Sequence, residues 1–329
     1  LDIEERNECM LSLYENGKYD LKSTDTISVK NLVERYNDIV ACWNEDINEE
    51  NVVSFTYWLK EKVVFSRVWT NSDEFAYVIF ETMNDRGLSL TQVEMLRSYL
   101  FANIEDNYRL KAMKDFDEII RKLTNIKLTS KSKAEFEFFK IYFRGHYAED
   151  FAQSKNVNSD FVRIGKEFHR WFRDNSIKLG LKTSNDFIQF LNKITYFANI
   201  YEKINKIVQN RDTKNYLYLI VNSDYGFTLQ PALILASIKY NDSESTIEKK
   251  IKMISKYLTK ILSWRVWNHY KISQSAMEYT IYSMCKKIRD KNIEEINKIL
   301  KDTSSNLLKL ENSPTLNRSN KNAIKVLLS

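Results

Sequence analysis

Apolar residues recur every three or four positions through most of this chain, the period of an amphipathic helix. Residues 2–16 and 27–43 show it first; in the second run Leu32, Val33, Tyr36, Val40 and Trp43 fall at helical spacing. The segment from 50 to 60 reads the same way. Lys62 to Trp69 departs from it. There Val63, Val64, Phe65, Val68 and Trp69 have no helical spacing, and Val63, Phe65 and Trp69 share one face, so this stretch predicts a strand. Asn71, Ser72 and Asp73 then cap a helix running to Met83, which buries Phe75, Val78, Ile79 and Thr82. Gly87 stops that helix, and Thr91 with Glu94 forms a capping box for the next, which runs to Ala102. The main later helices are expected at 107–123, 132–146, 158–177, 184–209, 228–240, 244–271, 273–290, 293–302 and 319–328. Breaks fall at 124–131, Gly180, Asp224–Gly226, Asn241–Ser245 and Thr303–Pro314. The pattern defines a mainly α fold, a helical bundle with little strand.

Composition strengthens this reading. Six glycines and two prolines in 329 residues leave few helix breakers. Cys9, Cys42 and Cys285 are scattered, odd in number and without a C-x-x-C pair, which argues against a disulfide framework or a zinc knuckle and fits a reducing cytoplasm. No apolar run approaches the ~20 residues of a membrane span, so neither a membrane span nor a membrane partner is expected. The chain opens on Leu1, inside a helical pattern, and is expected to be a piece of a longer protein.

Charge changes the picture more. Residues 1–110 carry 11 Lys/Arg against 21 Asp/Glu, and residues 111–329 carry 39 against 23. Such asymmetry suggests two segments with different partners, the basic one facing an anion. Solvated lysine faces from biased residue usage would give the same balance. Together with the polar break at 124–131, the switch suggests domains at 1–125 and 126–329.

Complete catalytic patterns are missing. The three histidines, His146, His169 and His269, stand outside any H-E-x-x-H and have no partner at metal-ligand spacing. No Walker-type phosphate loop, G-x-G-x-x-G or G-x-S-x-G is present. No catalytic residue, metal site or cofactor is therefore assigned to this chain.

One segment stands out, Phe75 to Arg97. It combines a helix, the polar turn Asn84-Asp85-Arg86-Gly87, an apolar hook at Leu88 and Leu90, and a capped second helix. Its polar residues serve either as caps of a helix-turn-helix connector or, with Arg86 beside a helix N-terminus, as an anion site. The run AYVIFETMNDRGLSLTQVEMLRSYLF closely resembles the F-E-x-x-N-x-R-G-x-x-L-x-x-x-[DE]-x-[LI]-[KR] signature of the GmrSD family, bacterial modification-dependent restriction and anti-phage proteins. It agrees at Phe80, Glu81, Asn84, Arg86, Gly87, Leu90, Glu94, Leu96 and Arg97. Looser likeness extends to VERYNDI and KVVFSRVW upstream, and to IYFRGHYAED and LSWRVWNHYKISQSAMEYTIYSMCKKIR downstream.

The resemblance implies an α+β, ParB-like nucleotide-binding remnant within 1–125, followed by a helical domain at 126–329. Full-length members begin with an Asp-Gly-Gln-Gln-Arg motif for nucleoside triphosphate chemistry and end in a His-Asn-His nuclease. Both are absent from this chain. The resemblance thus implies a nucleotide with Mg in the full-length protein, held beside Asn84, Asp85, Arg86, Gly87 and Arg97. Its implied partners are DNA, including modified phage DNA, the absent segments or partner chains supplying them, and a further copy in a homo-oligomer.

Three other groups are candidates. Lys260, Trp264, Trp267 and Lys271 fall near one face of the helix expected at 244–271, a basic-aromatic pattern suited to nucleic acid; buried Trp anchors with solvated lysines would look alike. Lys286 and Lys287, with Arg289 and Lys291, either touch DNA phosphates or complement a helix C-terminus. Arg144 and His146 are a candidate polar site, against the plainer reading of a satisfied structural histidine.

Overall fold

The computed structural model describes residues 4–44, 46–64, 91–128, 132–151, 159–307 and 325–326. Thirteen α-helices and no strand occur among the described residues, so the mainly α reading holds. The expected strand at Lys62–Trp69 lies outside the described residues from Phe65 onward; Lys62 is the last residue of a helix. The expected helix at 71–83 lies outside them entirely, as do all but two positions of the one at 319–328.

The chain divides into compact units at 1–69 and 70–329. In the first, α1 (Glu4–Asn16) packs on α2 (Ile27–Ala41). Thr26 caps α2 by accepting from the Val29 amide. The core between them is small, made of Cys9, Leu13, Val29 and Val33. α3 (Val52–Lys62) buries none of its residues and leaves Val53, Tyr57, Trp58 and Leu59 exposed. Phe55 stacks on Trp58 and meets the edge of Trp43.

The second unit contains α4 (Gln92–Ala102), α5 (Asp106–Thr124), α6 (Ala134–His146), α7 (Asp160–Asp174), α8 (Ser184–Gln209), α9 (Thr213–Asp224), α10 (Gln230–Ser237), α11 (Glu244–Trp267), α12 (Gln274–Ile288) and α13 (Ile293–Leu307). Two of these are interior helices. α6 packs against α4, α5, α7, α8, α10 and α12, and α10 against α6, α8, α9, α11 and α12. A helix enclosed on all sides must be apolar all round. α10 accordingly reads QPALILAS, while α6 buries Phe138, Phe139, Ile141, Tyr142 and Phe143 in consecutive turns and keeps Glu135, Glu137 and Lys140 half-buried on its remaining side. Helices on both sides of residue 125 share this core: Phe116, Ile119 and Leu123 of α5 lie in it with Phe138 and Phe139.

α9 is absent from the sequence pattern. Asp212 caps it, but its backbone leaves helical geometry at Tyr216 (φ −134°, ψ 39°) and its interior buries the polar Asn222, so no clean apolar stripe marks it. α11 stops at Trp267, four residues short of the predicted end. His269 takes a left-handed backbone (φ 62°), the Tyr270 amide returns to the Arg265 carbonyl and the His269 amide to Val266. This is a Schellman stop built without glycine.

Candidate functional site

The polar turn Asn84, Asp85, Arg86 and Gly87 lies outside the described residues. The second half of the signature is described. The Thr91 hydroxyl accepts from the Glu94 amide while the Glu94 carboxylate accepts from the Thr91 amide, the expected reciprocal cap. Gln92 bridges to α7, where Glu167 breaks the helical backbone (φ −154°, ψ 56°). The Gln92 amide nitrogen donates to the Lys166 carbonyl at 2.6 Å, and its oxygen accepts from the Phe168 amide at 3.0 Å. Backbone groups freed by the break are thus satisfied by a side chain from another helix. Arg97 forms a two-pronged pair with Asp117 of α5, at 2.9 and 3.0 Å, and lies over the Phe101 ring. Glu94, Gln92 and Arg97 therefore tie α4 to itself, to α7 and to α5.

Arg144 and His146 sit on the last turn of α6. Arg144 is buried, donates through Nε to the Phe161 carbonyl at 3.0 Å, lies 3.6 Å over the Phe161 ring and approaches Glu278 at 3.8 Å. Burial pushes its guanidinium below the usual arginine range, partly offset by Tyr282 and Glu278. A β-carbon at Gly165 would fall 2.0 Å from a guanidinium nitrogen of Arg144, so any other residue there would push this guanidinium aside. His146 lies beneath Phe197, ring centroids 4.5 Å apart, and beside Tyr142. Its Nε2 is sealed from solvent without a hydrogen-bond partner, and its other nitrogen faces the Leu235 carbonyl. Burial, then the nearby Arg289 charge, push its pKa down to about 3, so the imidazole is neutral. Neither group faces an open site.

Arg289 has a role the sequence pattern did not show. It donates to the carbonyls of Gly145 at 2.5 Å, Ala148 at 2.8 Å and Arg144 at 3.1 Å, and pairs with Glu149 at 3.1 Å. Lys286 joins it, donating to the Glu149 carbonyl at 2.7 Å and pairing with its carboxylate at 2.9 Å. The hydrogen bond from Lys286 holds the Glu149 carboxyl below the usual range. These cations close the C-terminal end of α6, whose last carbonyls have no partner within the helix. Lys287 is exposed.

The basic-aromatic group is only partly assembled. Lys260 is exposed on α11, and Trp264 and Trp267 are half-buried on its last turn. Trp264 stacks on Tyr270 at 5.4 Å, with Arg265 on the same ring. Lys271 is not on their face, because the helix has already turned at His269; its carbonyl accepts from Arg265 Nε instead.

A cavity of about 410 Å³ opens between α6, α8, the turn before α10 and α12. Its wall holds the Glu137–Lys140 ion pair at 2.6 Å, with Tyr201, Asn205, Gln230 and Tyr282. Behind it, the Asn222 amide donates to Gln230 at 2.7 Å and to the Ser255 carbonyl at 2.9 Å, and its oxygen accepts from Thr259 at 2.8 Å. The Asn222 side chain is thus satisfied, which fixes the register of α9, α10 and α11. No sequence signal singles out this cavity, since its walls come from segments far apart along the chain.

Among the described residues no group of three or more His, Cys, Asp or Glu is placed to hold a metal ion, and no helix is long and apolar enough to cross a membrane. The fold and these sites define a mainly α-helical protein whose second unit has a basic balance, with 42 Lys/Arg against 30 Asp/Glu in residues 70–329. Comparison with family models, with curated proteins and with solved structures gives no match.

Proposed function

We propose that this chain is the helical module of a GmrSD-like phage-defence restriction protein, coupling nucleotide binding to DNA recognition and contributing part of the DNA-contacting surface. The observation that carries this is the nine-residue agreement with the family signature between Phe80 and Arg97. The basic second unit supports it. The catalytic groups for nucleotide turnover with Mg and for DNA cleavage belong to segments outside this chain, on the same polypeptide or on partners, in the cytoplasm of a bacterium. The test is titration of labelled duplex DNA with the purified chain across a salt series. Weak binding that falls steeply with salt, without cleavage, is expected. Affinity indifferent to salt, or robust cutting by this chain alone, contradicts the reading.

A second reading is favoured by the first unit, where α2, α3 and the segment between them expose Ile39, Val40, Trp43, Tyr57 and Trp58. Apolar exposure of this kind marks protein-binding surfaces. Under it the chain is a non-enzymatic scaffold, docking a partner through its acidic first third. No DNA binding at low salt, together with a stable protein complex that Trp58→Asp abolishes, would select this reading.

A further inference from the structure

α11, 24 residues long, packs against α9 and keeps one face exposed. On that face stand Lys249, Lys252, Lys256 and Lys260, all exposed. Steps of three, four and four residues keep four side chains in one file, over ~16 Å at 1.5 Å per residue. Among the described residues none of the four has a carboxylate partner. Of the lysines on the elements around them, Lys203 pairs with Glu244 and Glu248, Lys206 with Glu202 and Lys291 with Glu295, while Lys214, Lys298 and Lys301 stand exposed as the file does. On α11 itself Lys250, which points inward, is paired with Asp242. The one lysine that α11 buries has a carboxylate, and the four exposed ones of the file do not.

The file also has an aromatic margin. α9 places Tyr216 beneath Lys252, 5.3 Å from nitrogen to ring centroid, and Tyr218 beneath Lys256 at 5.8 Å. Tyr218 is exposed, and Leu217 beside it is too. The Thr259 hydroxyl, donating to the Asn222 oxygen at 2.8 Å, ties the two helices together in this register. At its far end the file runs into the half-buried Trp264 and Trp267. Tyrosine rings under the lysine stems restrict where the ammonium groups point, so the charges are ordered before any ligand arrives.

We infer that the α11 lysine file, with its α9 tyrosine margin, is the track on which this protein holds the sugar-phosphate backbone of DNA. The inference rests on the DNA-contacting reading above and moves its centre. Lys286 is occupied by Glu149 and Lys271 has left the helix, whereas Lys252, Lys256 and Lys260 stand one helical turn apart, ~6 Å, in a row suited to successive phosphates of one strand. A narrow straight file favours a linear polyanion over a membrane, which would call for apolar anchors spread across a flat face.

The test uses the full chain and short duplex DNA in a salt series. The triple variant Lys252→Gln/Lys256→Gln/Lys260→Gln removes three charges from water-exposed positions. A control, Lys111→Gln/Lys114→Gln/Lys182→Gln, removes three exposed charges elsewhere on the same unit. Thermal unfolding of both variants should match the parent. The file variant should bind DNA at least ~10-fold more weakly, and the slope of log affinity against log salt should fall by about 3, close to 0.9 per lost phosphate contact. The control should stay within about twofold. Equal losses in both variants would mean a diffuse charge effect and overturn the inference. Unchanged binding by the file variant would overturn it while leaving the DNA-contacting reading intact. No DNA binding by the parent chain would remove both. Vesicles of anionic phospholipid provide the last arm: if the file variant loses vesicle binding and keeps DNA binding, the track is for a membrane surface.

Discussion

At the scale of single residues, the second unit holds two ionisable groups whose burial sets its response to pH and mutation. His146 titrates near 6.5 in an unfolded chain but near about 3 in its aromatic cage. The fold therefore keeps the neutral form, and below the unfolded value the unfolded chain takes up a proton that the folded one refuses. Stability is then lost as pH falls from about 6.5 toward 3. Between pH 7.5 and 5 the loss due to this group is about 2 kcal/mol. Denaturant unfolding at both pH values should show His146→Gln with a pH dependence flatter by that amount; identical dependence in parent and variant would refute the cage. The second group is Lys250, buried and held by Asp242 at 2.6 Å, with the Lys239 amide on the same carboxylate oxygen. Removing the carboxylate strands a buried cation, and Asp242→Ala should cost about 3–5 kcal/mol. Lys250→Met, which removes the cation and keeps an apolar stem, should cost less than half of that in the same unfolding assay.

At the scale of elements, the α6 terminus is the clearest device. Arg289 satisfies carbonyls that α6 cannot satisfy internally, and its planar guanidinium spreads five fixed donors over acceptors that an ammonium would have to reach from a single point. Arg289→Ala should destabilise the protein by about 3 kcal/mol, and Arg289→Lys should recover little of it; full rescue by lysine would show that charge alone matters at this end. Local signals made much of the element order legible. Thr91 and Glu94 announced their capping box, and the bounds of the helix at 184–209 followed from its apolar stripe between Thr183 and Asn210. What stayed illegible was set by contacts distant in sequence. Arg289 read as part of a basic cluster because its acceptors lie 144 residues away. α9 was hidden by Asn222, a polar residue whose partners Gln230, Ser255 and Thr259 become visible only in the fold. Lys271 was placed on a helix face because nothing in the sequence marks His269 as a left-handed stop. The basic run at 249–256 was visible as an amphipathic pattern, but the tyrosines beneath it come from α9.

At the scale of the whole molecule, the two units are unequal in self-sufficiency. Among the described residues of 1–69 four buried side chains form the core, which is small for a unit of that size. Residues 70–329 hold a continuous core from Val93 to Leu300. A chain beginning at Thr70 should therefore keep its helical circular dichroism and its main cooperative unfolding transition, and loss of that transition would show that the first unit is required for the second. Residues 1–69 alone should bind an apolar dye through the exposed side chains of α2 and α3.

The enclosure of α6 also bears on how the protein is made. Its flanks and its final carbonyls are covered by α10 and α12, and Arg289 closes the end from 144 residues further along. At the usual 5–20 residues per second of synthesis, a nascent chain carries the end of this phenylalanine-rich segment unsealed for roughly ten seconds before Arg289 exists. Helices α4, α5, α7 and α8 can close on α6 earlier, so the last step in completing the centre is the arrival of α12 with Arg289.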